Sequence, residues 1–251
     1  MESLRRVALA CCLLAGWTGF ARAQEPAAVA APAQASKWIV EPYFLVPNMS
    51  GSAGVGGLVG DVSAGSGDIL GALDIGGMLY LERHGATWSY SFDTMYMDLG
   101  AEQSTPLGPV DLDMKQLGMM GAGYRRVAPW AEAMLALQYN WIEAGLAGGG
   151  PLAVDRSGDE DWVDPYVGAR IMSSGESGWR FGFLGAIGGF GVGSDFAWQA
   201  YPQAGYRVSE LFEVTGGFRA IGMDYEGGEG EAKFVYDMTT YGGQLGARFH
   251  F

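Results

Sequence analysis

Residues 234–251 read FVYDMTTYGGQLGARFHF. Taken two at a time, Phe251, Phe249, Ala247, Leu245, Gly243 and Tyr241 fall on one face, and His250, Arg248, Gly246, Gln244, Gly242 and Thr240 on the other. A helix would repeat its apolar residues every three or four positions, so a period of two marks a strand with one greasy and one polar side. The segment 86–97 repeats the pattern, with Trp88, Tyr90, Phe92 and Tyr96 opposite Thr87, Ser89, Ser91 and Asp93. Residues 211–220 do so again, with Phe212, Val214, Phe218 and Ala220 opposite Glu213, Thr215 and Arg219.

Working outward, the same reading gives strands near 37–47, 74–83, 86–98, 110–125, 130–145, 162–173, 179–190, 195–207, 211–225 and 233–251. Each is close to the roughly 9 to 11 residues that a tilted strand needs to cross a bilayer. Short connections at His84-Gly85, 126–129, 174–178 and Ser209-Glu210 alternate with longer ones at 48–73, 99–109, 146–161 and 226–232, the link 191–194 being the exception. Unequal ends of this kind are the mark of outer-membrane barrels, whose periplasmic turns are short. The expected fold is all-β: a transmembrane antiparallel β-barrel of about ten strands, with eight or twelve as alternatives. An even count puts both termini in the periplasm. A water-soluble barrel of the lipocalin kind uses the same alternation with its apolar face inward. The aromatic end, Phe251 and Phe249 with Tyr241 before them, resembles the signal by which bacterial outer-membrane barrels are recognised for insertion, and it favours the membrane reading.

Composition agrees. Glycine makes up 42 of 251 residues, against about 7% in average proteins, which disfavours helices. Residues 1–23 read as a cleaved secretory signal, with Arg5 and Arg6 before the apolar stretch 7–20 and Ala21-Arg22-Ala23 as the cleavage site. Both cysteines, Cys11 and Cys12, leave with it, so no disulfide or thiolate metal site is expected. Residues 24–36, rich in Ala and Pro, read as a flexible periplasmic lead-in, and 37–251 as the barrel. Loss of the signal moves the formal charge from −13 to −15, which speaks against nucleic acid as a partner. Expected instead are outer-membrane lipid, lipopolysaccharide and the barrel-assembly machinery, for a monomer in the outer membrane of a Gram-negative bacterium.

With the greasy face toward lipid, the inward charges are Glu41, Glu82, Asp93, Glu132 and Asp164 from the first six strands and Arg170, Arg180, Arg207, Glu213, Arg219 and Arg248 from the last five. Most lie near the short-turn end, where unpaired charge would cost several kcal/mol each, so a salt-bridged floor is expected. Ten strands enclose little more than side chains, whereas water-filled pores appear at roughly 16. The expected role is therefore structural or surface-interacting with a largely closed lumen. A narrow channel for small or hydrophobic solutes is the alternative, and a lipid-modifying enzyme a third. Catalysis has poor material, because His84 and His250 are the only histidines and both sit at the periplasmic end. Asp155, Asp159 and Asp161, with Glu160, form an acidic stretch that is a weak candidate for a divalent ion, since Glu160 and Tyr166 stand where an EF-hand needs Gly and Glu. No cofactor is expected, and the glycine runs at 54–57 and 188–191 lack the Lys-Ser/Thr of a phosphate loop. Trp38, Trp141 and Trp179 suit interfacial girdles, and Asp68 to Leu73 a short helical turn capping the lumen.

Several stretches, 161–170 (DWVDPYVGAR), 188–195 continuing through Trp198-Gln199, Asp68-Ile69-Leu70 and the terminal strand, resemble a family of uncharacterised proteobacterial outer-membrane β-barrel proteins in the broad OmpA/OmpW-like group. The resemblance covers nearly the whole mature chain. It implies fold and location but no activity.

Overall fold

The structure, a computed structural model, describes residues 37–105, 108–148, 154–173 and 178–251. The leader expected over 1–23 and the lead-in over 24–36 lie outside the described residues. Strand β1 runs Lys37–Val55, β2 Leu58–Ala64, helix α1 Ser66–Ala72 and β3 Leu73–His84. There follow β4 Trp88–Thr105, β5 Gly108–Ala128, β6 Ala131–Gly148, β7 Val154–Met172, β8 Trp179–Gly189, β9 Phe196–Arg207, β10 Phe212–Gly227 and β11 Phe234–His250. Every strand from β3 to β10 pairs antiparallel with its successor, and β11 pairs back onto β1 from Ile39↔His250 to Val55↔Phe234. The wall is thus a closed barrel of ten strands, and β2 is an eleventh that only doubles back on the outer half of β1.

The alternation read from the sequence sets the faces. Along β4, Trp88, Tyr90 and Phe92 are exposed while Ser89 is buried, and along β11, Phe249, Leu245 and Tyr241 are exposed while Gln244 and Thr240 are buried. The outward rings form a belt that gives way on the outer side to Asp98, Lys115, Glu143, Asp161, Asp224 and Asp237. On β11 the belt spans Phe249 to Tyr241, the length a bilayer core requires of a tilted strand. The guanidinium groups of Arg83 and Arg125 lie over the Trp38 and Trp88 rings at its lower edge. Trp38 and Trp179 are half exposed there, as interfacial residues are.

Two expectations need correcting. The long connections expected at 48–73, 99–109 and 146–161 are mostly strand, with a helix at Ser66–Ala72 in the first: the ladders continue above the belt, pairing Val55 with Leu58, Thr105 with Gly108 and Gly148 with Val154, whereas the connection expected at 226–232 stands between Gly227 and Phe234. Glycine and acidic residues hide strand propensity there, and pairing along both edges supplies what propensity lacks. The inward face is also not uniformly polar. From mid-barrel outward it holds Met49, Trp162, Tyr166, Met223, Tyr236 and Met238 as an apolar core.

At one seam the wall is thin. β1 pairs with β3 only from Lys37↔His84 to Pro42↔Leu79. Beyond that point the Leu45 amide donates to Met78 Sδ at 3.3 Å instead of to a strand carbonyl. Helix α1 packs against β1 and β4. Its Ser66 amide donates to Asn48 Oδ1 at 3.0 Å, and Ile69 is buried in the apolar core.

Candidate functional site

All eleven charged side chains expected in the lumen occupy inward positions of their strands, but nine of them gather into three groups, not one layer. In the first, Arg170 of β7 makes a two-toothed contact with Glu82 of β3 across the barrel, Nη2 to Oε1 at 2.6 Å and Nη1 to Oε2 at 2.9 Å. Its Nε donates to Glu132 on the neighbouring β6 at 3.0 Å, and its plane stacks 4.0 Å from the Tyr124 ring centroid. A planar guanidinium with five donors suits this junction as an ammonium would not. In the second, Arg248 of β11 reaches Glu41 of β1 at 2.7 Å, Glu213 of β10 at 3.3 Å and Gln203 at 3.1 Å. His250 Nε2 lies 3.0 Å from the other Glu213 oxygen. Arg180 stands farther off, 3.7 Å from Glu213. The third group sits nearer mid-barrel, where Arg219 pairs with Asp93 at 2.8 Å and the Tyr43 hydroxyl donates to Asp93 at 2.7 Å.

Two of the expected members stand apart. Asp164 has no cation beside it among the described residues. It accepts from the Ser194 amide (2.6 Å), the Ser194 hydroxyl (2.7 Å), Trp162 Nε1 (2.9 Å) and Asn140 Nδ2 (3.3 Å). The short link that broke the long-and-short rhythm is therefore a turn folded inward onto this carboxylate, with Ser194 fully buried. Arg207 makes no ion pair among the described residues, and its buried Nε has no hydrogen-bond partner. The reason is visible in the register: Glu213, its direct neighbour on β10, spends both oxygens on Arg248 and His250.

The acidic stretch does not form a loop. Asp159 and Asp161 are exposed on β7, paired with Glu143 and Trp141, while Glu160 between them accepts from the Tyr225 hydroxyl at 3.2 Å. The side chain of Asp155 lies outside the described residues, and no group of three or more metal-ligating side chains occurs among those described. His84 and His250 each lie against a buried glutamate, Glu82 at 3.3 Å and Glu213 at 3.0 Å. Phe251, Phe249 and Tyr241 present their rings outward, Phe251 being 70% exposed.

Sequence reasoning missed the two cavities. One of about 350 Å³ lies among the ion pairs, lined by Arg170, Arg180, Arg219, Arg248 and their carboxylates together with Tyr80 and Tyr201. The other, about 990 Å³, opens at the outer mouth beneath the β1–β2 hairpin. They share no lining residue. Nothing in a two-residue period marks cavities, because they depend on side-chain volume across the barrel and not along a strand.

No protein-family model matches the chain, and no curated protein does. Among solved structures it is similar to Ail, the attachment invasion locus protein of Yersinia pestis (10% identity, TM-score 0.39, covering 86% of this chain and 98% of that one). It is also similar to the translocator domain of the autotransporter NalP from Neisseria meningitidis (10%, 0.40, 85% and 88%) and to Neisserial surface protein A (10%, 0.31, 85% and 95%).

Proposed function

We propose that the protein is an integral outer-membrane barrel of the broad OmpA/OmpW-like group, with a closed lumen and a structural or surface-interaction role carried by its outer hairpins. The observation that supports this is the filled cross-section: ion pairs bridge opposite walls at Arg170–Glu82, and above them Met49, Tyr166, Met223 and Met238 pack together. Buried ion pairs of this quality resist opening, because separating them leaves charge stranded in a low-dielectric interior. The outward belt faces outer-membrane lipid, the acidic rim above it faces lipopolysaccharide, and the C-terminal rings of Phe251 and Phe249 serve the barrel-assembly machinery after export. The chain acts as a monomer.

Planar bilayers test the reading. Purified protein gives no steady unitary current; steady currents that vanish on charge reversal at Arg207 or Arg248 would replace it with the second reading, a narrow channel for small or hydrophobic solutes. What favours that second reading is the pair of cavities entering the lumen from opposite ends. A lipid-modifying enzyme finds less support, since both histidines are engaged by glutamates at the end where β1 begins and β11 finishes. Lipid A from overexpressing cells keeps its mass profile under this proposal.

A further inference from the structure

The β1–β2 hairpin turns at Gly56 and Gly57, whose φ of +64° and +80° suit a two-residue hairpin turn and favour glycine. It is pinned at both ends: the Ser66 amide donates to Asn48 Oδ1 at its root, and at its tip Val55 Cγ1 lies 2.8 Å from where a Cβ on Gly158 of β7 would stand. Parity decides which way its backbone groups point. The Trp38 and Phe251 amides donate to each other's carbonyls, and β1 keeps one register with β11 from Ile39 to Val55. Even-numbered residues of β1 therefore turn amide and carbonyl to β11, and the odd-numbered ones of its outer half turn theirs to β2, where their partners are Leu58, Gly60, Val62 and Ala64. Val59, Asp61 and Ser63 are left with amide and carbonyl pointing away from β1, and all three are exposed. No strand among the described residues pairs with that edge: the chain leaves β2 for α1, and β3 meets β4 first at Leu73↔Leu99. The edge is a row of donors and acceptors at strand spacing, which an extended backbone satisfies and a globular surface does not.

The side chains beside the edge say what kind of strand fits. Val62 and Ala64 pack against the apolar core, whereas Val59, Asp61 and Ser63 share the opposite face. On that face Asp61 ends a row that runs across the wall through Ser52 and Asp237 to Asp224, with three exposed carboxylates and no cation. Two copies pairing edge to edge with Val59 opposite Ser63 would set Asp61 against its own counterpart, and like charges directly opposite are destabilising. A strand with Lys or Arg at that position is attracted instead. We propose that the outward edge of β2 docks an extended segment of another protein, in which basic residues alternate with apolar ones, as an added antiparallel strand. Its basic side chains join the Asp61 face, and its apolar ones continue the face of Val62 and Ala64. The inference deepens the surface-interaction role proposed for the outer hairpins and rests on it for the side of the membrane reached, while its test reads binding without regard to sidedness or conductance.

The test uses the full-length mature protein in phosphatidylcholine nanodiscs, with empty nanodiscs as background, and the fluorescein-labelled heptapeptides KVKVKVK and EVEVEVE, read by anisotropy. KVKVKVK is expected to bind saturably and about tenfold more tightly than EVEVEVE. Antiparallel pairing turns the backbone amides of its lysines toward β2 and those of its valines away. Backbone N-methylation at the central lysines should therefore cost about tenfold in affinity, and the same change at the valines less than about threefold. In the protein, Asp61→Pro removes an edge donor that β1 does not use and weakens KVKVKVK about fivefold. Asp61→Asn keeps the edge and narrows the preference between the two peptides by about threefold. Each variant is checked for folding by heat-modifiable gel mobility, and if Asp61→Pro fails to fold the methylated peptides decide alone. No protein-dependent anisotropy, equal losses from the two methylation patterns, or unchanged binding in folded Asp61→Pro overturns the proposal. Dimers in detergent that KVKVKVK dissolves would give the edge to a second copy and overturn it as well.

Discussion

The carboxylate of Asp164 is wholly shielded from solvent and is held by the backbone and hydroxyl donors of Ser194, an indole and an amide, with no positive charge among the described residues to balance it. Hydrogen bonds to an ionised group are worth about 1.5–3 kcal/mol each, so Asp164→Ala should cost about 3–5 kcal/mol and Asp164→Asn clearly less. Urea unfolding in lipid vesicles, followed by tryptophan fluorescence, measures both. Arg170 makes the complementary case. Arg170→Met strands Glu82 and Glu132 in the interior and should cost about 3–5 kcal/mol, whereas the triple change Arg170→Met/Glu82→Gln/Glu132→Gln should recover most of it. A triple variant no better than the single one would mean that packing on Tyr124, and not charge, holds the junction.

Among elements, the outer hairpins carry the acid and so should carry the pH response. Burial, and after it the neighbouring Asp237, Asp195 and Glu226, pushes the Asp224 carboxyl up at the outer rim. Burial raises that of Glu160 as well; the Tyr225 hydrogen bond opposes this, and Asp161 and Asp159 add to it. A carboxyl whose folded pKa exceeds the unfolded value favours the fold below the unfolded pKa, and that contribution is lost as pH rises through the raised one. Amide exchange at the outer ends of β7, β10 and β11, corrected for intrinsic rates, should therefore be slower near pH 4.5 than at pH 7; faster exchange at the lower pH would refute this. The belt portions of the strands were legible because lipid on one side and lumen on the other enforce strict alternation, as at Trp88 to Phe92. Their outer extensions were not, because water bathes both faces and the sequence there is free to be Gly-rich. The inward positions of Arg170 and Glu82 could be read from parity alone. Their joining across the barrel could not, since it depends on which opposite strands the curvature brings near.

For the whole molecule, assembly and stability should separate at the last residue. Phe251 is 70% exposed and its backbone exchanges hydrogen bonds with Trp38, so Phe251→Ala should leave the unfolding midpoint nearly unchanged while lowering the amount of barrel in the outer membrane severalfold, as fractionation would show. Equal membrane yields would leave the terminal ring without a part in insertion. The two neighbours of β1 hold it very unequally: β11 grips it from Ile39 to Val55, β3 only from Lys37 to Pro42. A cylinder made by rolling a sheet is expected to be weakest where its first and last edges meet. Here that join is among the sturdiest, and under heat or mechanical load the tear should start inside the chain, between β1 and β3, leaving the first strand and its folded-back companion hanging from the last.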